Sequence, residues 1–240
     1  YLGFNGNMLA NEMFLDSSSL RSSVVSHAKT LGYVPTSARA SKATVDVTLN
    51  TNDTSATMPA GTVFNTTVDD VSYQFSTISD VTKSNTGNTI PFVGIDIYEG
   101  SFITTRYTVD SSDVDQRFII TDNRADTTTL TVKVQTSSTD SSSNTFTEAT
   151  DITQVTTGSN VYFLQEVEAG LFEVYFGDGI IGTALSDDNI VILTYVVSNK
   201  TAANGASIFT NSAAIASVTD VAVATSAAST AGSEPESISS

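Results

Sequence analysis

The chain has 240 residues with 26 acidic against 10 basic side chains, a formal net charge of −16, so the clustered Lys and Arg that phosphate backbones and anionic membranes attract are missing. Cysteine and tryptophan are absent and histidine occurs once, which excludes disulfides, thiolate metal sites, cysteine nucleophiles and multi-histidine metal cages. No apolar run approaches the roughly 20 residues of a membrane helix, and the abundant Ser and Thr interleaved with Val, Ile, Phe and Tyr suit pleated, half-buried strands.

The first predicted element is helical. Leu20, Val24, Ala28 and Leu31 recur at helical spacing, with His27 close to the same stripe. Ser17 to Ser19 supply N-cap candidates, Gly32 stands where a C′ glycine belongs and Pro35 follows the stop. The spacing predicts a helix over 18–31, with a shorter one before it, inside a helical segment 1–40. A partly buried or interface histidine is the reading for His27, because no oriented nucleophile or G-x-S-x-G elbow accompanies it.

From Ala43 the period changes to two. Val45, Val47 and Leu49 alternate with Thr44, Asp46 and Thr48; Val71, Tyr73 and Phe75 alternate with Ser72, Gln74 and Ser76; Leu130, Val132 and Val134 repeat the pattern. Further strands are predicted at 62–64, 93–98, 102–109, 117–120, 161–167, 171–176 and 190–197. Turn signals separate them at 58–62, 84–89, 110–115, 121–126 and 186–189. The expectation is a mainly β fold of sandwich-like or mixed β modules, α+β overall with its N-terminal helical segment. Residues 41–200 form the β-rich domain, readable as two sub-modules, with a mobile hairpin tip near 137–145.

Beyond Tyr195 small residues dominate. A flexible linker is one reading of 201–232; short strands anchored by Ile208, Phe209, Val218, Val221 and Val223 are the other. Ser233 with Glu236 three positions later spells a capping box and Pro235 fits a first turn, so a further helix is expected to start here and the parent protein to continue past Ser240.

The segment Phe176 to Gly182, "FGDGIIG", has the spelling G-x-G-x-x-G after a strand. Only a few residues separate Gly182 from the next turn and strand, which leaves no room for the helix whose N-terminus holds a pyrophosphate, and the acidic residue expected about 20 positions on is missing. The preferred reading is a β-hairpin in which Gly177, Asp178 and Gly179 form the turn, with Gly182 completing it. Glu166 and Glu168, on one face of a strand and roughly 6–7 Å apart, have a spacing that a glycosidase pair uses, but a solvated strand face accounts for them more simply. Asp110, Asp113 and Asp115, or Asp122 and Asp126, present carboxylates in turns, yet neither run matches D-x-[DN]-x-[DN]-G with its distal Glu. No catalytic residue, cofactor or metal site is predicted.

Taken together, several stretches resemble one family. "NMLANEMFLDSSSLRSSVVSHAKTLGYVPTSARASKA" at 7–43, "IYEG" at 97–100, "DQRFII" at 115–120, "DTTTLTVKVQ" at 126–135, "VYFLQEVEAGLFEVYFGDGIIG" at 161–182 and "GSEPESI" at 232–238 are similar to the baseplate wedge proteins of T-even-type contractile-tailed phages, which belong with the baseplate J-like proteins. The most specific part is Phe176 to Gly182 followed by the strand Ile190 to Tyr195 and then Asn204-Gly205. The resemblance implies a non-enzymatic virion protein of the tail baseplate, assembled with itself and with other wedge proteins, without nucleic acid or membrane, and an internal portion of a longer subunit. On that reading the helix face of Leu20, Val24, His27, Ala28 and Leu31 meets a helical bundle of neighbouring chains, and 201–232 lies near a subunit contact. An extracellular acidic adhesin or surface-layer module is the alternative that composition leaves open.

Overall fold

The structure, a computed structural model, describes residues 10–14 and 17–237. It is mainly β, as the alternating patterns predict, and its strands form two modules that the chain visits in the order first, second, first.

The first module is a five-stranded sheet of order β14-β1-β6-β4-β3. Here β1 is Lys42–Asn50, β3 Val63–Val68, β4 Val71–Ser76, β6 Thr89–Glu99 and β14 Val221–Thr230, while β2 (Ser55–Met58) and β5 (Val81–Ser84) make a separate two-stranded ribbon. Alternation in β1 buries Val45, Val47 and Leu49, which join Met58, Phe64, Phe75, Phe92 and Ile97 in one core. Opposite Val45 and Val47 the β1–β6 register shifts. Gly94, at φ +68, lies in that shift, and its N–H donates to Asp46 Oδ1 at 2.7 Å.

The second module is a seven-stranded sheet of order β7-β13-β9-β10-β11-β12-β8. Its strands are β7 (Ser101–Thr108), β8 (Phe118–Ile120), β9 (Ala125–Gln135), β10 (Ser143–Glu148), β11 (Val161–Glu166), β12 (Phe172–Phe176) and β13 (Ile190–Val197). The two outermost strands approach each other, because the Tyr107 hydroxyl on β7 donates to the Ile119 carbonyl on β8 at 2.5 Å and its ring meets Phe118 edge-on at 5.7 Å. The sheet therefore curls toward a barrel around Ile120, Val132, Val174, Val191 and Leu193. Phe118, Phe146 and Phe176 continue the edge-to-face contacts inside it.

Between Ala203 and Val218 the chain returns over the first core, burying Ala203, Ala206, Phe209 and Ile215; Phe209 stands edge-on to Phe75 at 4.9 Å. β14 then pairs antiparallel with β1. Of the residues expected to anchor short strands, Val221 and Val223 lie in this strand, whereas Ile208, Phe209 and Val218 lie outside the strands.

The helix, α1, runs over Arg21–Thr30 and is shorter than the expected 18–31. Leu20 occupies the N-cap with no side-chain cap, so Ser17 to Ser19 do not cap it; Glu12 supplies the acceptor. Its carboxylate takes the Ser19 N–H at 3.0 Å, the Ser19 hydroxyl at 2.8 Å and the Leu20 N–H at 3.3 Å. At the other end Gly32, at φ +74, lets its own N–H reach the Lys29 carbonyl and the Tyr33 N–H reach the Ala28 carbonyl, each at 3.0 Å.

Residues 233–237 are not helical. Ser233 bridges Arg39, the Glu236 N–H donates to the Thr36 carbonyl at 2.9 Å, and the Glu236 carboxylate accepts from the Tyr33 hydroxyl at 2.7 Å and from the Thr36 N–H at 3.0 Å. With its carboxylate taken by these partners, Glu236 does not form the expected capping box. Residues 238–240 lie outside the described residues.

Candidate functional site

Three regions concentrate buried polar groups or the predicted site residues: the helix and its strap, the seam between the modules, and the glycine loop after β12.

Arg21, the first residue of α1, forks onto Glu166 at the end of β11, with Nε to Oε1 and Nη2 to Oε2 both 2.7 Å, and its Nη1 donates to the Glu236 carbonyl. The Glu166 side chain is 1% exposed. One guanidinium thus fastens the helix, the second module and the 233–237 strap together, and its ionised state is favoured by the Glu166 carboxylate. This corrects both readings of the Glu166 and Glu168 pair. Glu166 is neither solvated nor free for chemistry, and Glu168 lies past the strand in the short turn Glu168–Gly170, off the strand face. A cavity of about 390 Å³ opens beside the fork, lined by Arg21, Glu166, Phe172, Lys200, Pro235 and Glu236 among others. Lys200 there is paired with Glu234.

Of the predicted helix face, Val24, His27 and Ala28 are half-buried, whereas Leu20 is 47% and Leu31 74% exposed. His27 Nε2 lies 3.0 Å from the Glu12 carbonyl. The helix residue that is buried is Val25, which the 3.6-residue stripe did not single out. Val24 and Ala28 line a groove with Val25, Tyr33, Pro35 and Glu236.

Glu12 is held far below the usual carboxylate range, to about 2, chiefly by the Ser19 N–H and then by the Ser23 and Ser19 hydroxyls. A depressed folded-state value means that the contribution is present above the unfolded value of 4.5 and is lost as pH falls toward about 2. Acidification across that window should loosen the start of α1, seen as lower amide protection factors, relative to the intrinsic exchange rate at each pH, at Ser19, Leu20 and Ser23. Glu12→Gln should show the lower protection already at neutral pH, and unchanged protection there would refute the cap.

The seam between the modules is built from buried carboxylates and serines. Glu99, 1% exposed at the end of β6, accepts from the Asn199 N–H at 2.8 Å and its side-chain amide at 2.7 Å. Burial raises its pKa against the lowering effect of those bonds. Asp126 on β9 accepts from the Ala40 N–H at 2.9 Å and from the Thr128 N–H and hydroxyl at 2.9 and 2.6 Å. Ser37 bonds Thr127, and the Ser41 hydroxyl donates to Asn204 Oδ1 at 2.8 Å. The seam carboxylates Glu99 and Asp126 are thus hydrogen-bonded in place.

The glycine segment is a closed loop and not a hairpin turn. β12 pairs with β11 and β8, and β13 pairs with β7 and β9, so the strands on either side of it are not partners. Asp178 Oδ1 accepts the Ile180 and Ile181 N–H groups at 2.9 and 3.1 Å, which lowers its pKa, and the Gly179 N–H donates to the Gly182 carbonyl at 3.1 Å. Gly179 and Gly182 have φ of +87 and +81. Gly177 is required for a different reason: a Cβ there would stand 2.0 Å from the Ile181 carbonyl oxygen. The Gly182 N–H donates to the Thr156 carbonyl and the Thr183 N–H to that of Ser159, so these amides are not presented to an anion, and no helix follows.

The aspartate turns are closed on themselves. Asp110 accepts the Ser112 N–H and hydroxyl at 2.9 and 2.6 Å, Asp113 the Asp115 N–H at 3.0 Å, and Asp122 pairs with Arg124 at 2.9 Å. Among the described residues no three His, Cys, Asp or Glu side chains come together to hold a metal ion.

Against known proteins, the chain is 27% identical over 228 residues to baseplate wedge protein gp6 of Enterobacteria phage T4, an alignment that covers 86% of this chain and 33% of that relative. The chain thus spans a third of the length of the curated relative it matches. No family model matches it.

Proposed function

We propose that this chain is a structural part of a wedge subunit in the baseplate of a contractile phage tail. It is a non-enzymatic scaffold that assembles with itself and with other wedge proteins and repacks when the tail contracts. The observation that carries this reading is the similarity to a baseplate wedge protein over 86% of the chain. The fold supports it in kind. The buried carboxylates Glu99, Asp126 and Glu166 accept bonds that tie one segment to another, which suits a rigid building block more than a site that binds and releases a ligand.

On this reading the exposed Leu20 and Leu31 with the half-buried Val24, His27 and Ala28 form the face of α1 that neighbouring helices cover. Gly177, Asp178, Gly179 and Gly182 hold a structural loop. Antibody against this chain, applied to purified particles and imaged by electron microscopy, should label the baseplate end of the tail. Label on the head, or on the surface of uninfected host cells, would refute the proposal.

The adhesin alternative makes a contrary prediction. Because the aspartate turns are satisfied by their own Ser, Arg and backbone partners, millimolar calcium should move the melting temperature by no more than about 2 °C. A rise of ten degrees or so would favour a calcium-stabilised surface module instead.

A further inference from the structure

Among the described residues the outer strands of the two large sheets are β3 and β14 in the first and β7 and β8 in the second, and three of these four have a neighbour across their outer side. The outer side of β3 is taken by the returning chain, since the Asn65 N–H donates to the Thr210 carbonyl at 2.8 Å, the Thr210 N–H returns to Asn65 at 2.9 Å and Asn211 Nδ2 donates to Val63 at 2.9 Å. β7 and β8, the outer strands of the second sheet, meet through Tyr107. β14 is different. Among the described residues no strand lies past it in the sheet, and only its end is covered, where Ser229 exchanges bonds with Gly205 and Ala206 at 2.8 Å each.

The direction of the open amides follows from the ladder. The Asn50 N–H donates to the Asp220 carbonyl at 3.0 Å, and the register runs on as Leu49 opposite Val221, Thr48 opposite Ala222, Val47 opposite Val223, Asp46 opposite Ala224 and Val45 opposite Thr225. Antiparallel pairs alternate between bonded and non-bonded, so Ala222 and Ala224 bond β1 while Val221, Val223 and Thr225 aim their N–H and C=O groups outward. The side chains of these same residues lie on the core face, opposite the buried Leu49, Val47 and Val45, and are only half-buried themselves. The edge thus offers a row of backbone bonds and an unfinished strip of core. Residues 221–231, VAVATSAASTA, contain no charge and no proline, and the register shifts of the β1–β14 pair fall beyond Thr225, so the stretch 221–225 carries none of these edge protections.

We propose that this edge pairs with the same edge of a second copy, β14 against β14, antiparallel about Val223. The occupant is argued from complementarity. The strip calls for β-branched residues at every second position, and β14 itself supplies Val221, Val223 and Thr225 in that spacing. Val223 then meets its own copy and Val221 meets Thr225, giving about six backbone hydrogen bonds from three bonded pairs. Charge permits it despite the chain's −16. Asp220 falls opposite Ser226 of the second copy. The Asp46 side chains lie three strand spacings apart, about 14 Å, beyond the Debye length of about 8 Å at physiological salt. The pairing stands on the sheet topology and would form whether or not the chain belongs to a baseplate.

The test uses the 240-residue chain itself. Sedimentation equilibrium up to about 100 µM should show a monomer–dimer equilibrium. In hydrogen exchange the amides of Val221, Val223 and Thr225 should be protected at high concentration and exposed on dilution, while those of Ala222 and Ala224 stay protected throughout. Thr225→Pro removes an outward N–H that β1 does not use. The double variant Ala222→Lys with Ala224→Lys sets lysines opposite each other across the pair from solvent-facing positions. Each should weaken dimerisation at least tenfold, and the lysine variant should retain the melting temperature of the monomer. A strictly monomeric wild-type chain, a dimer whose three outward amides exchange freely, or a dimer that the lysine variant leaves unchanged would overturn the proposal. So would protection of those amides only on adding a different polypeptide, which would assign the edge to a foreign strand.

Discussion

Gly100→Ala is expected to lower the stability of the chain by about 3–5 kcal/mol, combining backbone strain with overpacking. Gly100 joins Glu99, the last residue of β6, to Ser101, the first of β7, at φ +126. A Cβ there would lie 2.2 Å from the Val197 carbonyl oxygen, 2.8 Å from its carbon and 3.0 Å from Ser198 Cα. All of these are backbone atoms at the end of β13, and that backbone cannot easily yield. The Ser198 N–H is fixed to the Arg124 carbonyl at 3.1 Å, and Asn199 is held by Glu99. At a rate of about 2–4 °C per kcal/mol for a chain of this size, the midpoint should fall by about 10 °C. Calorimetry should also resolve two transitions where the parent shows one, because the seam that couples the two cores is the part disturbed. Gly94→Ala is the control: φ is +68 but no atom lies within 4 Å of the added Cβ, so only a conformational cost of about 1 kcal/mol applies. Equal losses in the two variants would mean that the close approach to Val197 carries no weight.

The contrast between these two glycines also marks what the sequence could and could not reveal. Strands with several β-branched or aromatic residues in strict alternation, such as β1, β4 and β13, were legible because a period of two is local information. β2, β5 and β10 were not. β10 buries Phe146 alone among its six residues, and one apolar side chain has no period. β14 stayed ambiguous for a related reason, since Val-Ala-Val-Ala alternates in size but hardly in polarity.

The glycine loop shows the same limit from another side. Its need for positive φ at Gly179 and Gly182 is written in the residues, yet the neighbours of β12 and β13 are set by pairings far away in the chain, and the hairpin reading failed there. Glu236 illustrates competition: the local capping partner was correct chemistry, but Tyr33 and Thr36, about 200 positions earlier, occupy its carboxylate. Similarly, nothing near Glu166 announces Arg21. A carboxylate in a strand reads as solvated until a distant cation is brought against it.

That distant cation sets the second large effect. Arg21→Ala should cost about 2–3 kcal/mol, below the 3–5 of a fully buried pair because the Arg21 side chain is itself 32% exposed while Glu166 is 1% exposed. The loss arises less from the missing attraction than from a buried carboxylate left without its fork, and the Glu236 carbonyl loses a donor at the same time. Because the fork is the link between α1 and β11, the damage should be local as well as global. Limited proteolysis should cut the 20–33 segment several times faster, while the β modules stay resistant under native conditions. Pairing the substitution with Glu166→Leu removes the orphaned charge and should recover most of the stability, giving a coupling energy of about 2 kcal/mol in a double-mutant cycle. The helix would still be released, since no apolar replacement at 166 restores the bond to the strap. Stability recovered without helix protection is thus the signature expected of a fork that holds the helix in place. If the single substitution changed neither proteolysis nor stability, α1 would be held by Val25 and the Tyr33–Glu236 contact instead, and the arginine would be incidental.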